Sequence, residues 1–277
     1  MNENIGASRS VKSGCPFYFK IMKIATFNTN SIRSRMGIII DWIESEKPDI
    51  LCLQETKVQD RDFPESQFEE RGYQVAFRGQ KAYNGVAIIS KVSMEEIRRN
   101  LTEGEDEQAR FISAKLPGYT VMNVYVPQGY APGTDKFQYK LQWMKELLNF
   151  IRRRYDASSH LLLVGDFNVA LEPIDLFDPE GFKGEAGFHP DEQTILREML
   201  GWGFVDIFRK YQTGRHQYTF WDYRIPNALK RKMGWRIDYI LASLPLAEKS
   251  ISARIDTEPR LRERPSDHTF LVAEFDI

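Results

Sequence analysis

The sequence predicts an α/β fold, one domain of two packed sheets covered by helices, and three observations lead there. Residues 23–30, 32–43 and 49–54 read as strand, helix and strand, and residues 120–126, 134–155 and 161–164 repeat that order further along. Several further apolar runs of strand length surround these units. Across 277 residues no Pro/Ser-rich linker separates two cores, and no repeat is obvious in the letters.

Each element has its own signal. Residues 23–30 form a strand pattern that ends in Asn28 and Asn30. Ser31 is expected to cap the next helix, in which Ile32, Met36, Ile39, Ile40 and Ile43 recur at helical spacing. Pro48 stops that helix, and residues 49–54 read as a buried strand ending at Glu55. Residues 73–77, 85–90, 111–116 and 120–126 then read as consecutive strands, an antiparallel portion of sheet. After a Pro/Gly loop at 127–133, Thr134 is placed to cap a long helix with Phe137, Leu141, Met144, Leu147, Leu148 and Ile151 on one face. Leu161 to Val164 are four apolar residues in a row, the mark of a strand buried on both faces. Gly165 is read as a sharp turn, after which Asp166 and Asn168 share one side of the chain. A loop rich in Asp, Pro and Gly spans 172–190, a shorter helix 191–200, and strands are expected at 204–208, 235–242 and 270–275.

Composition narrows the class. Hydrophobic residues at 42% with 28% charged residues fit a globular protein. The mean hydropathy of -0.46 and the lack of any apolar run near roughly 18 residues argue against a membrane span. Two cysteines, Cys15 and the strand-embedded Cys52, exclude a disulfide framework and favour a reducing compartment, cytoplasmic or, in a eukaryote, nuclear. Residues 1–21 show no periodicity and no continuous apolar h-region, so they are expected to be a flexible extension before a domain at 22–277.

Polar groups stand at four ends of the expected strands: Asn28 and Asn30, Glu55, Asp166 and Asn168, and Ser266-Asp-His268. An Asp or Asn at a strand end is often only a turn. Four such ends beside apolar strands instead point to a site where open α/β sheets bind ligands. A hard divalent cation takes oxygen donors, and magnesium uses one or two carboxylates with water and substrate phosphate. Glu55 and Asp267 suit that task. Asp267 and His268, being adjacent in the chain, can serve metal and phosphate separately.

The net charge of -1 announces no acidic partner, but local charge does. From Arg209 to Arg236 there are eight Lys or Arg residues against Asp222 alone, interleaved with Tyr211, Tyr218, Phe220, Trp221, Tyr223 and Trp235. Cations for phosphates beside aromatic faces for stacking fit nucleic-acid binding.

Read together, Phe27-Asn-Thr-Asn30, Leu53-Gln-Glu55, Tyr83-Asn-Gly-Val-Ala87, Asn123-Val-Tyr-Val-Pro-Gln128, Gly165-Asp-Phe-Asn168, Tyr218-Thr-Phe-Trp221, Gly234-Trp-Arg-Ile-Asp238 and Ser266-Asp-His268 form an ordered set. From about Met22 to Ile277 this resembles the exonuclease III family of abasic-site endonucleases, within the endonuclease/exonuclease/phosphatase superfamily. The resemblance implies a four-layer α/β sandwich and a magnesium-dependent phosphodiesterase, with manganese as a substitute metal. It implies that Glu55 ligates the metal, with Asp267, Asn28, Asp166 and Asn168 close by. Asp166 would orient or deprotonate the attacking water, and Asn168 would position it or hold the phosphate. His268, oriented by Asp238, would bind the scissile phosphate, and which of Asp166 and His268 is the general base stays open.

Tyr125 and Gln128 match family positions near the phosphate, and Asn30 belongs to the substrate-side set. Phe220, Trp235 and Ile237 match the pocket for the base-less sugar. Two positions depart from the family pattern. Ser31 stands where a glycine usually follows, and Arg224 stands where relatives place an apolar wedge. The implied activity is incision 5′ to an abasic site in double-stranded DNA, leaving a 3′-hydroxyl, with 3′-end repair by exonuclease or phosphodiesterase action, by a monomer. The alternatives are another phosphodiesterase or phosphatase of the superfamily, acting on RNA or a phosphoinositide, and a DNA-binding module with a dead site.

Overall fold

The strand–helix–strand units expected in both halves are present, and each joins a parallel pair of strands. This computed structural model describes residues 21–102 and 108–277. The extension expected at 1–21, Cys15 included, lies outside them except for Ile21, which already pairs with Asp276. In the first half, β1 (Ile21–Asn28) runs through α1 (Ile32–Glu46) to the parallel β2 (Ile50–Gln54). After the short α2 (Ser66–Glu69), β3 (Gln74–Arg78) and β4 (Val86–Ser90) add antiparallel strands beside β2. In the second half β5 (Glu95–Arg98) and β6 (Phe111–Leu116) lead into β7 (Tyr119–Tyr125). Helix α3 (Asp135–Arg154) then connects β7 to the parallel β8 (Leu161–Asp166).

Helix α4 (Pro190–Trp202), β9 (Phe204–Asp206), α5 (Ile207–Tyr211), β10 (Asp238–Ser243), α6 (Leu244–Ala247), β11 (Ser250–Asp256) and β12 (Phe270–Asp276) complete the described elements. The two six-stranded sheets run β11-β12-β1-β2-β4-β3 and β5-β6-β7-β8-β10-β9. Each therefore centres on one parallel pair flanked by antiparallel strands. This is an internal duplication of topology that the letters do not display.

Alternation along the strands builds the four layers. Ile24, Cys52, Ile88, Val121, Leu162, Val164 and Ile240 point into the core between the sheets. Ala25, Phe27, Leu51 and Leu53 face the other way and pack under α1 with Ile39, Trp42 and Ile43. On the second sheet Met122, Leu163 and Leu241 meet Phe137, Leu141, Met144 and Leu147 of α3. The Thr134 hydroxyl accepts from the Phe137 N–H, the expected cap of that helix.

Four local expectations need correction. Ser31 makes no capping bond and sits at φ 92, because the chain leaving Asn30 is left-handed. Gly165 lies inside β8 rather than in a turn. A Cβ there would meet the Val124 carbonyl at 2.0 Å, so glycine answers a close approach between strands. The run 204–208 is a strand only to Asp206, whose side chain accepts from the Arg209 N–H and starts α5. Trp235 to Ile237 precede β10, and Trp235 instead makes isolated bridges to Phe220 and Leu176. Strands β5 and β11 were not expected; both are edge strands with mixed polar faces, which blurs their alternation. Among the described residues no helix is long and apolar enough to cross a membrane.

Candidate active site

Because β1, β2, β7 and β8 end at the same edge of the sandwich, their carboxyl ends converge there, where open sheets bind ligands. β10 and β12 run antiparallel to their neighbours, so they begin at that edge and present Asp238 and the Asp267-His268 pair. Both sheets thus contribute to one cluster.

Asn28 ties them together. Its Nδ2 donates 2.8 Å to Glu55 Oε1 of the first sheet and 2.8 Å to Asp166 Oδ2 of the second. The Asp166 Oδ1 accepts from the Asn168 backbone N–H at 2.8 Å, and its Oδ2 from the Asn168 side-chain amide at 3.3 Å. The expected Asp166–Asn168 pairing is present, although it comes from a left-handed Asn168 (φ 52) rather than from strand alternation. Asn30, Glu55 and Lys57 are left-handed too (φ 44, 49 and 53).

On the other side His268 Nδ1 lies 2.8 Å from Asp238 Oδ2, and its Nε2 lies 3.7 Å from Asp166 Oδ2. Burial works against a charged imidazole, but Asp238 and then Asp166 outweigh it and raise the His268 pKa well above the usual histidine range. Asp166 is also raised, chiefly by burial, with Asp238 adding to the effect and His268 opposing it. Tyr125 ionises well above its ordinary value through burial and then the Glu55 and Asp166 carboxylates, so it stays a neutral phenol and can donate.

Glu55 behaves differently. Burial alone would raise its pKa, yet Lys57 and the Asn28 hydrogen bond hold it down. The Lys57 ammonium is 2.8 Å from Glu55 Oε2 and 2.5 Å from Asn30 Oδ1, while Asn30 Nδ2 reaches Asp267 Oδ1 at 3.0 Å. Lys57 escaped sequence reasoning; its one signal is a cation two residues after a strand-end acid. The cluster holds four carboxylates (Glu55, Asp166, Asp238, Asp267) against Lys57 and a protonated His268. Oxygen donors of this kind suit a divalent cation. Asp166, Asp238 and His268 place ligand atoms within 4.8 Å of one another. Glu55 and Asp267 add carboxylate oxygens at the same edge.

Beside the cluster lies a cavity of about 500 Å³ lined by Phe182, Gly187, Phe220, Trp235 and Ile237, with Asn168, Gln128 and Arg224 at its edges. The Phe220 ring stands 4.9 Å from that of His268, so the pocket and the polar cluster share a wall. Gln128 is exposed, its Oε1 accepting from the Tyr130 N–H at 2.7 Å. Arg224 is 89% exposed on the pocket rim, and its guanidinium is held by Asp222 at 2.6–3.0 Å.

A family model for the endonuclease/exonuclease/phosphatase family matches residues 25–268, which is nearly all of the described domain. Exodeoxyribonuclease III of Haemophilus influenzae is 35% identical over 92% of this chain and all of its own length. The chain belongs to the exonuclease III family. An AP endonuclease structure from Archaeoglobus fulgidus superposes with a TM-score of 0.89 at 47% identity, covering 92% of this chain and 100% of that one. A Neisseria 3′ phosphatase bound to a product DNA hairpin gives 0.88 at 37% identity with the same coverage. The exonuclease III membership carries the expected four-layer sandwich and makes the chain a DNA-repair nuclease, a metal-dependent hydrolase acting on DNA.

Proposed function

We propose that this protein is a magnesium-dependent abasic-site endonuclease that cleaves 5′ to the lesion in duplex DNA and leaves a 3′-hydroxyl. The same site would clean blocked 3′ ends, with manganese able to replace magnesium. The observation that carries this reading is the shared wall: a pocket walled by Phe182, Phe220 and Trp235 opens beside the hydrogen-bonded carboxylate–histidine cluster. The aromatic walls give a flipped-out sugar a surface to pack on beside the cleaving groups.

The residues divide the work. Glu55 and Asp267 would hold the metal, with Asn28 fixing Glu55, and the metal would supply charge to the developing oxyanion. His268, kept cationic by Asp238, would hold the scissile phosphate. Asp166, its pKa raised by burial, would take the proton of the attacking water, which Asn168 aligns. Tyr125 and Gln128 would donate to phosphate oxygens, with Asn30 supporting Asp267. Phe220, Trp235 and Ile237 would seat the sugar, Arg224 would meet DNA at the rim, and one chain would suffice. The test is a duplex carrying a single abasic analogue, incubated with and without magnesium, with both new ends identified. Magnesium-dependent incision leaving a 3′-hydroxyl is expected. Cleavage confined to intact 3′ ends, or to RNA, would overturn the proposal.

A further inference from the structure

Lys140 sits on the buried face of α3 among Phe137, Leu141 and Met144, and it is completely shielded from solvent. Its ammonium donates to the Asn168 carbonyl at 2.8 Å and to the Gln128 carbonyl at 3.3 Å, and it pairs with Glu192, which is equally buried. The other Glu192 oxygen accepts from the Gly187 N–H at 2.8 Å and the His189 N–H at 3.2 Å. Two loops therefore meet at one ion pair: the β7–α3 loop with Gln128, and the β8–α4 loop, held near both its ends at Asn168 and Gly187.

The two ends of the β8–α4 loop do different jobs. Asn168 belongs to the polar cluster, whereas Gly187 walls the sugar pocket and lies so close to Trp235 that a Cβ would stand 3.2 Å from the ring. The Gly187 carbonyl also accepts from the Ala170 N–H at 2.7 Å, which closes the link between the two ends. A buried pair is a poor source of stability, since apolar residues of similar volume replace such pairs at little cost. Here both ammonium bonds and the Gly187 bond of the second carboxylate oxygen go to loop backbone, while its His189 bond completes the capping box of α4. One of these loops carries the left-handed Asn168. The arrangement specifies geometry.

We infer that Lys140 and Glu192 form a positioning pair that sets the register between the sugar pocket and the phosphate-cleaving groups. Neither residue touches substrate; each acts through the loops it holds. The inference rests on the reading of the cavity as the seat of an abasic sugar.

The test uses the full chain carrying Lys140→Met with Glu192→Leu, which fills the space without leaving one charge buried alone. Thermal midpoint, affinity for an abasic-analogue duplex, and single-turnover cleavage at saturating DNA and magnesium are measured. The expected result is a midpoint within a few degrees of wild type, near-equal affinity, and cleavage slowed about 100-fold, as for a misplacement of about 1 Å. Recovery of full cleavage together with stability would overturn the inference and leave the pair a fold staple. Lys140→Arg decides the same question without emptying the site: it keeps the charge but moves the donors, so wild-type turnover in this variant would also overturn it. If wild-type protein fails on abasic duplex, the functional reading falls, and the two variants are then compared on 3′-end removal with the same expected slowing.

Discussion

Arg236 and Asp238 are two residues apart and both fully buried, yet each belongs to a different network of charges. Arg236 grips Asp175 through Nε at 2.8 Å and Nη2 at 3.0 Å, and Asp206 through Nη1 at 2.8 Å, while Arg209 adds a second cation on Asp175. Two cations meet two carboxylates. Although burial opposes both charges, Arg236 and Arg209 hold Asp175 below the usual carboxylate range, and the acids hold Arg236 above its own. The Asp238 side is out of balance. Four carboxylates face Lys57 and His268, and Asp166 is pushed up instead of down. Charges that pair off fix a strand, whereas perturbed groups such as Asp166 are of the kind that gather at functional sites.

The sharpest way to break this contrast is Glu55→Gln, which removes charge from the unbalanced side. Turnover should fall on the order of 10³-fold and the magnesium requirement should rise, while the fold survives. Steady-state rates across a magnesium titration check this. A near-normal rate at low magnesium would take Glu55 out of the metal's reach.

Next in size is Arg236→Met on the balanced side, where the loss should appear as stability. Removing one partner of a buried pair costs about 3–5 kcal/mol, read by denaturant unfolding at neutral pH. The sign with pH follows from Asp175. Its pKa is lowered in the fold, so its contribution is present above the ordinary value of about 3.9 and is lost as pH falls through the lowered value. The gap between wild type and variant should therefore shrink in acid. A gap that stays constant down to the acid range would show that Asp175 is not the group involved.

Asp238→Asn sharpens the comparison from within the site. The isosteric amide can still accept from His268 Nδ1 but no longer keeps that ring charged, so turnover should drop about 100-fold. Because it removes a carboxylate from an excess of them, the thermal midpoint should hold level or rise, the trade of stability for function seen at active sites. A fall as deep as that of Arg236→Met would erase the distinction between the two networks.

How much of this was legible in the sequence follows the same division. Leu161 to Val164, the end-of-strand acids and His268 could be read directly, because apolar runs and polar punctuation are local signals. The aromatic pocket came from the ordered motif set rather than from any single residue. Lys140 was not legible: a lysine on a helix reads as solvated, and its partner Glu192 is far along the chain on another helix. Arg236 was equally hidden, since its cluster of Arg and Lys neighbours pointed to a DNA face while its own partners are two distant aspartates. Buried ion pairs of high sequence separation leave no period and no spacing to find.

The smallest expected effect concerns Arg224, the departure from the family pattern at the pocket rim. Asp222 lies against one edge of its guanidinium, so the charge is compensated while the planar faces stay open to solvent. A compensated cation is a weak phosphate ligand, but its plane can still stack in the gap left by a missing base. Arg224→Ala should therefore weaken binding to an abasic duplex by about tenfold and leave an intact duplex nearly unaffected, within the range of stacking platforms. The slope of affinity against salt should stay unchanged. Asp222→Asn should do the reverse, freeing the charge, tightening both duplexes and steepening that slope by about one unit. Binding is measured across salt with the metal left out. Equal losses on both duplexes for Arg224→Ala, with a shallower slope, would make it a phosphate contact and sink the stacking assignment.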